Sequence, residues 1–143
     1  MSALFEHVLS LWEQEPGAQH AEIQMSQPPE DPTLYLDKAQ ISIALINLLR
    51  NAADVMPDGG TIAISSFWER DFLVISVKDE GPGIDAADLP RIFDPFFTAK
   101  AQGSGLGLTT VNRIVSDHRG EIKVWSRPGE GTEFKIYLPP RPV

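Results

Sequence analysis

The stretch Asp79-Glu80-Gly81-Pro82-Gly83-Ile84 places an acid and two glycines directly after an apolar run, residues 72–78. The apolar run predicts a strand that delivers Asp79 to its C-terminal end. A carboxylate there can accept a hydrogen bond from the exocyclic amine of a purine, and glycines without a Cβ let the backbone approach the ring closely. The stretch therefore predicts a strand that leads into a purine-binding loop.

Two further stretches lie on either side of this loop. Residues 47–52, Asn-Leu-Leu-Arg-Asn-Ala, place Asn47 and Asn51 four positions apart on a predicted helix, where their side chains are neighbours and can reach a metal ion. Residues 103–108, Gly-Ser-Gly-Leu-Gly-Leu, open an apolar-periodic segment, so their N–H groups can bind phosphate at a helix N-terminus. Base, metal ion and phosphates thus each have a candidate partner.

Length and composition exclude several classes of protein. The 143 residues predict one domain, and the absence of cysteine excludes disulfides, thiolate metal sites and thiol catalysis. The 20 acidic and 12 basic residues give a net charge of −8, which argues against a nucleic-acid partner. No apolar run is long enough to span a membrane and no secretion signal opens the chain. We therefore expect a cytoplasmic domain that makes no membrane contact itself.

Hydrophobic periodicity predicts an α+β chain. Helices are predicted over residues 3–13, 38–56 and 106–118, with Asp37 as the N-cap of the second and one helical turn over residues 85–89. Strands are predicted over residues 21–25, 61–68, 72–78, 121–126 and 132–138, with a short edge strand at residues 33–36. The second and third strands, and the last two, each form a hairpin.

The second helix has two predicted faces. One arc is apolar and is predicted to pack on the sheet; it contains Ile41, Ala44, Leu45, Leu48, Ala52, Val55 and Met56. The opposite stripe is polar and is predicted to face water or a cleft; it contains Asn47, Arg50, Asn51 and Asp54.

The segment of residues 90–104 is long, weakly periodic and contains aromatic residues, which is typical of a lid or a binding loop.

In chain order these motifs resemble the four boxes of the ATP-binding domain of sensor histidine kinases. Residues 47–52 resemble the N box and residues 79–84 resemble the G1 box. Residues 93–100 resemble the F box and residues 103–108 resemble the G2 box. The wider superfamily includes DNA gyrase, mismatch-repair ATPases and a heat-shock chaperone. The resemblance implies the Bergerat fold, a two-layer α/β sandwich with a mixed sheet covered on one face by three helices. It also implies ATP and Mg²⁺ as cofactors.

The resemblance implies a role for each candidate residue. Asp79 would accept from the adenine amino group, partly through a water that Thr132 supports. Asn51 would supply an oxygen to Mg²⁺, and Lys100 would meet the terminal phosphates as a point charge. The implied catalytic residues are Asn47, Asn51 and Lys100. The implied ATP-binding residues are Asn51, Asp54, Asp79, Gly81, Gly83, Ile84, Phe96, Phe97, Lys100, Gly103, Ser104, Gly105, Leu106, Gly107, Leu108 and Thr132.

Each residue also has a plainer interpretation when it is taken alone. An aspartate before glycine often starts a turn, an exposed helical asparagine or loop lysine is usually just solvated, and phenylalanines usually belong to a core. Because the four boxes occur together and in order, the functional interpretation is favoured over these alternatives.

Several positions depart from the family pattern or limit the function that it implies. Asp54 stands where many histidine kinases carry a lysine, and Ala99 replaces a frequent threonine. Asn47 stands where the ATP-hydrolysing branches typically carry a glutamate base, and an amide cannot take a proton, which favours transfer over hydrolysis. His7, His20 and His118 lack the H-box context of a phosphoacceptor and are interpreted as surface histidines.

The sequence therefore predicts a protein-histidine kinase catalytic domain over residues 1–143, without its dimerisation and phosphoacceptor domain. It would bind Mg·ATP and donate the γ-phosphate to a histidine on a separate domain, in the same parent chain or in trans, with a response regulator downstream. Two alternatives stay open: a nucleotide-gated binding module, either degenerate or anti-sigma-like, and a superfamily ATPase. The parent chain could be anchored in a membrane.

Overall fold

The computed structural model describes residues 2–26, 37–94 and 107–139. Across these ranges the α-helices are α1 (Ser2–Trp12), α2 (Lys38–Asp54) and α3 (Gly107–Asp117). The strands are β1 (Ala21–Ser26), β2 (Gly60–Glu69), β3 (Phe72–Asp79), β4 (Glu121–Ser126) and β5 (Thr132–Leu138). Short 3-10 turns occur at Pro16–Gln19 and Leu89–Arg91. The predicted edge strand at residues 33–36 lies outside the described residues.

The strands form one mixed sheet in the order β1-β2-β3-β5-β4. β1 and β2 run parallel, as expected for strands whose connection contains a helix, here α2. All other neighbours are antiparallel, and both predicted hairpins, β2 with β3 and β4 with β5, are confirmed. The register of β3 and β5 pairs Asp79 with Thr132. Residues 53 positions apart in the chain thereby meet at one end of the sheet.

The core lies between the sheet and the helices. Alternate residues of the strands point to the helices and are fully buried, because successive side chains of a strand point to opposite faces. This buried face contains Ile62, Ile64, Leu73, Ile75, Val77, Phe134, Ile136 and Leu138. The opposite face carries the partly exposed aromatic side chains of Phe67, Phe72 and Trp125. The predicted α+β sandwich is confirmed.

Helix α2 is buried more widely than its sequence predicted. The predicted apolar arc is confirmed for Ile41, Leu45 and Leu48, but Leu49 and Ala53 are buried as well. The reason is that α2 packs against α1 in addition to the sheet and α3. Helix α2 is therefore covered by α1, α3 and the sheet, and its accessible residues are those of the polar stripe together with residues such as Ile43, which is exposed.

The two ends of α2 test the predicted boundaries. Asp37 is confirmed as the N-cap, since its side chain accepts a hydrogen bond from the Gln40 N–H at 3.1 Å. The predicted extension to residue 56 is wrong: the helix ends at Asp54, because the N–H groups of Val55 and Met56 both turn back to the Ala53 carbonyl. Val55 is nevertheless half-buried, and Met56 is buried.

Arg50 is exposed, in agreement with the predicted polar stripe, and it also has a partner that the sequence did not predict. Its guanidinium forms two hydrogen bonds to the Glu15 carboxylate, at 2.6 and 2.9 Å, and this contact raises the pKa of Arg50. Glu15 directly precedes the 3-10 turn that follows α1. The pair therefore ties the polar side of α2 to the N-terminal segment.

His118 joins the end of α3 to the start of α2. Its Nε2 accepts the Asp37 N–H at 3.0 Å, while Nδ1 lies 2.9 Å from the Ile114 carbonyl, to which it donates. We expect His118→Ala to lower the free energy of unfolding by about 1 kcal/mol, because the Asp37 N–H loses its partner at a partly exposed site. Urea unfolding would measure this, with His7→Ala, an exposed position on α1, as the control. Equal stability of the two variants would contradict a role for His118 in holding α2.

Candidate functional site

Asp79 is a buried carboxylate at the last position of β3. It is 4% exposed, and one of its oxygens accepts the Gly81 N–H at 2.8 Å. The backbone N–H of Thr132, on the neighbouring strand, also donates to this carboxylate. Burial raises the pKa of Asp79, and these two hydrogen bonds oppose the rise only in part. Asp79 is therefore a desolvated acceptor that would gain from a further donor.

The loop after Asp79 fits closely against its neighbours because it contains glycine. Gly83 has φ +81°, and a Cβ there would meet the Arg127 carbonyl oxygen in the β4–β5 turn. A Cβ on Gly81 would lie 2.7 Å from the Val55 side chain and 3.0 Å from the Asp79 carboxylate. The Gly129 N–H donates to the Pro82 carbonyl at 2.6 Å. The loop is thus held between the end of α2 and the β4–β5 turn.

Ser126 is a site residue that sequence analysis missed. Its hydroxyl, at the buried end of β4, lies 2.7 Å from the Ile84 N–H, 2.9 Å from the Gly131 carbonyl and 2.8 Å from the Thr132 hydroxyl. The only signal in the sequence was the predicted β4–β5 hairpin, whose register pairs Ser126 with Thr132. Ser126 therefore connects the Asp79 loop to the strand that carries Thr132.

Asn47 and Asn51 lie on the predicted polar stripe of α2, where both are half-buried. The Asn47 amide N–H₂ donates to the Ile43 carbonyl at 2.9 Å, which leaves its oxygen out of this hydrogen bond. A Cβ built on Gly107 would lie 3.3 Å from that oxygen, so the start of α3 adjoins the stripe. Asp54, three residues after Asn51, is exposed.

The described residues would offer a metal ion few ligands from acidic or histidine side chains. They contain no group of three or more His, Cys, Asp or Glu side chains that could enclose a metal ion. Amide oxygens on α2 suit Mg²⁺, which takes few protein ligands and completes its shell with phosphate oxygens and water. Asn51 is the predicted ligand.

The structure brings some predicted site residues together and leaves others undescribed. Asp79, Gly81, Gly83, Ile84 and Thr132 meet at one end of the sheet, and Gly107 lies beside Asn47. Leu108 is half-buried and packs against the core. The predicted residues outside the described ranges are Phe96, Phe97, Lys100, Gly103, Ser104, Gly105 and Leu106.

Phe93, at the start of the predicted lid, belongs to the body of the domain. Its ring meets Phe134 edge-on, with centroids 6.4 Å apart, and its carbonyl accepts from the Thr109 hydroxyl at 3.1 Å. Phe93 itself is therefore attached both to the sheet and to α3. No helix within the described ranges is long and apolar enough to cross a membrane.

Comparison with known proteins agrees with this geometry. The family described as "Histidine kinase-, DNA gyrase B-, and HSP90-like ATPase" matches residues 36–142. Sporulation kinase E of Bacillus subtilis (strain 168) is 36% identical over 142 residues, which are 99% of this chain and 19% of that protein. The chain belongs to this family, as an ATP-binding catalytic domain of the sensor histidine kinase type.

Solved structures show the same fold. The catalytic domain of the histidine kinase ThkA, in a nucleotide-free form, superposes with a TM-score of 0.84 at 31% identity, covering 98% of this chain and 92% of that chain. Full-length ShkA in complex with AMPPNP gives a TM-score of 0.83 at 26% identity, covering 99% of this chain and 30% of that chain. The predicted Bergerat fold is thus confirmed. This chain spans about a fifth to a third of the length of the first curated relatives that it matches.

Proposed function

We propose that residues 1–143 act as the catalytic domain of a sensor histidine kinase, binding Mg·ATP and donating its γ-phosphate to a histidine on a separate dimerisation domain. The observation that carries the proposal is the buried, desolvated carboxylate of Asp79 between Gly81 and Thr132. An adenine amino group would supply the donor that this carboxylate lacks. The AMPPNP bound to ShkA, a relative of the same fold, supports a nucleotide in this family.

The residues of α2 would serve the phosphate end of the nucleotide. Asn51 would hold Mg²⁺ through its amide oxygen, and Lys100 would offset the charge of the terminal phosphates. Gly107 would contribute its N–H at the start of α3, together with the glycines that precede it. Asn47 cannot act as a base toward water, which supports phosphate transfer rather than hydrolysis.

The phosphate acceptor would lie on another domain. His118 is engaged at the start of α2 and one ring nitrogen of His20 lies 3.2 Å from the Ala53 carbonyl, so both have structural contacts. The histidine kinase relatives support a two-helix phosphoacceptor domain, in the same parent chain or in trans, and a response regulator that then receives the phosphate. We expect the domain to act in the cytoplasm, whether or not the parent chain is anchored in a membrane. Its own contribution would be positioning and electrostatics.

Phosphate transfer to an isolated acceptor domain tests this function. The 143-residue chain would be mixed with a separately produced dimerisation domain of a related kinase, Mg²⁺ and ATP labelled at the γ-phosphate. We expect labelled histidine to form with wild type, and Asn51→Ala to reduce the rate by about 100-fold, because transfer needs the metal in place. Asn112→Ala, an exposed asparagine on α3, is the matched control and should leave the rate unchanged.

Each other result has a definite meaning. Tight ATP binding without transfer to any acceptor domain would favour the nucleotide-gated binding module. Steady release of inorganic phosphate without an acceptor would favour a superfamily ATPase. Absence of ATP binding to wild type would overturn the proposal.

A further inference from the structure

The hydroxyl of Ser126 has every one of its hydrogen-bonding positions occupied. A serine hydroxyl offers one proton and two lone pairs. The Ile84 N–H can only donate to it, and the Gly131 carbonyl can only accept from it. The single proton of Ser126 is therefore directed to Gly131, and one lone pair receives Ile84.

This arrangement determines the direction of the Thr132 hydroxyl. The only position left on Ser126 is its second lone pair, so the Thr132 hydroxyl, 2.8 Å away, must donate its proton to Ser126. Thr132 then presents only lone pairs to its other surroundings. Its β-sheet partner there is Asp79, which is also an acceptor. The two side chains at this end of the sheet are consequently both acceptors.

We propose that Ser126 is a specificity-determining positioning residue that holds the Thr132 hydroxyl as an acceptor, so that the pocket prefers a base carrying an amino group over one carrying an oxo group. The inference rests on the proposed function, because it assumes that the base of a nucleotide lies beside Asp79 and Thr132. A pocket of acceptors pairs with the hydrogens of an amino group, or with a water that such a group orients. An oxo oxygen would face lone pairs instead, and that contact is unfavourable.

Inosine triphosphate provides the matched probe. It carries an oxo group and an N1–H where ATP carries the amino group and an unprotonated N1, and it has the same ribose and phosphates. The experiment measures the dissociation constants of ATP and inosine triphosphate by calorimetry, in the presence of Mg²⁺, for wild type and each variant. The ratio of the two constants reports the base end of the site alone, since the phosphate contacts cancel.

Removing the Ser126 hydroxyl should reduce this discrimination. In Ser126→Ala the Thr132 proton is free to turn toward the ligand, so ATP should bind about tenfold more weakly while inosine triphosphate changes by less than about twofold. Ser126→Thr keeps the hydroxyl and should retain the wild-type ratio. Should Ser126→Ala not fold, Ser126→Cys replaces it, since a thiol is a weak hydrogen-bonding group and the same fall in the ratio is expected.

Two further variants separate positioning from simple stability. Ser76→Ala is the matched control, because Ser76 is a buried serine of the same sheet whose hydroxyl donates to Glu133 at 2.7 Å on the opposite face. It should lower the melting temperature and leave the ratio unchanged. If Ser126 acts through Thr132, then Ser126→Ala combined with Thr132→Val should show the ratio of Thr132→Val alone.

The outcomes distinguish this inference from the proposed function. One outcome would overturn the role of Ser126 while the proposed function stands. In it, wild type binds ATP, Asp79→Asn does not, and Ser126→Ala keeps the wild-type ratio of the two dissociation constants. Equal loss of both nucleotides in Ser126→Ala would likewise overturn it. Wild type that binds neither nucleotide would instead refute the proposed function.

Discussion

Replacing Asp79 with asparagine should weaken Mg·ATP binding by about 100-fold, and the unliganded domain should remain at least as stable as wild type at neutral pH. The asparagine oxygen can still accept the Gly81 N–H and has a second lone pair for the Thr132 N–H, and the amide N–H₂ then occupies the position of the second carboxylate oxygen. That group is a donor and would face the donating amino group of adenine. Affinity therefore falls through a mismatch of donors, without a change in shape.

The stability half of this prediction follows from the direction of the pKa shift. The folded-state pKa of Asp79 is raised, chiefly by burial, so folding disfavours the ionised form. The penalty is absent at a pH below the unfolded-state pKa, where the carboxyl is protonated in both states. It grows as the pH rises through the interval between the two pKa values, and it is complete above the folded-state pKa. At neutral pH Asp79→Asn removes that penalty.

The raised pKa of Asp79 also predicts how ATP binding depends on pH. Wild-type affinity should fall as the pH drops through the raised pKa of Asp79, because a protonated carboxyl loses an acceptor position. Asp79→Asn should not show this acid limb. Titration calorimetry at several pH values and thermal unfolding without ligand would measure both halves.

Glu80→Gln is the control for this experiment. It makes the same change, from carboxylate to amide, at the next residue, which is exposed and accepts the Thr61 N–H at 3.2 Å. Its ATP affinity should stay within about twofold of wild type. Similar losses in the two variants would assign the effect to net charge and would remove Asp79 from the base site.

Local sequence patterns predicted the fold well because each element obeys its own periodicity. The hairpin of β4 and β5, the end of β3 at Asp79 and the N-cap at Asp37 were all predicted, and the structure confirms them. Alternation in a strand and the hydrogen bond of a cap are local, so a single sequence contains them. The parallel pairing of β1 with β2 was not predicted, since it depends on where α2 packs.

The site was predictable where it follows a motif and not where it depends on tertiary contact. Asp79 and its glycines were identified from adjacent residues, and the structure brings them together with Thr132, although their binding roles stay predictions. Ser126 was missed because its three partners become neighbours only when the strands pair. The pairing of Arg50 with Glu15 was not predicted, because the two residues lie 35 positions apart in the chain.

The contact between the Asp79 loop and the β4–β5 turn predicts a large loss of stability when a glycine of the loop is replaced. Gly83 and Gly129 have almost the same backbone angle, φ +81° and φ +80°, which an L-residue adopts at an energetic penalty of about 1 to 2 kcal/mol. Their surroundings differ: a Cβ on Gly83 would meet the Arg127 carbonyl oxygen, while a Cβ on Gly129 would have nothing within 4 Å. The two positions therefore separate backbone strain from close packing.

Gly83→Ala should lower the free energy of unfolding by about 2 to 5 kcal/mol, the sum of backbone strain and an overpacked contact with main-chain atoms that cannot rotate away. Gly129→Ala should lower it by only about 1 to 2 kcal/mol, from strain alone. The difference, measured by urea unfolding, reports the contact between loop and turn. ATP affinity should follow the same order, because a displaced Gly83 also moves the Ile84 N–H away from Ser126 and disturbs the neighbouring Thr132. Equal destabilisation in the two variants would show that the loop yields to the added methyl group, and the β4–β5 turn would then not hold the base site in place.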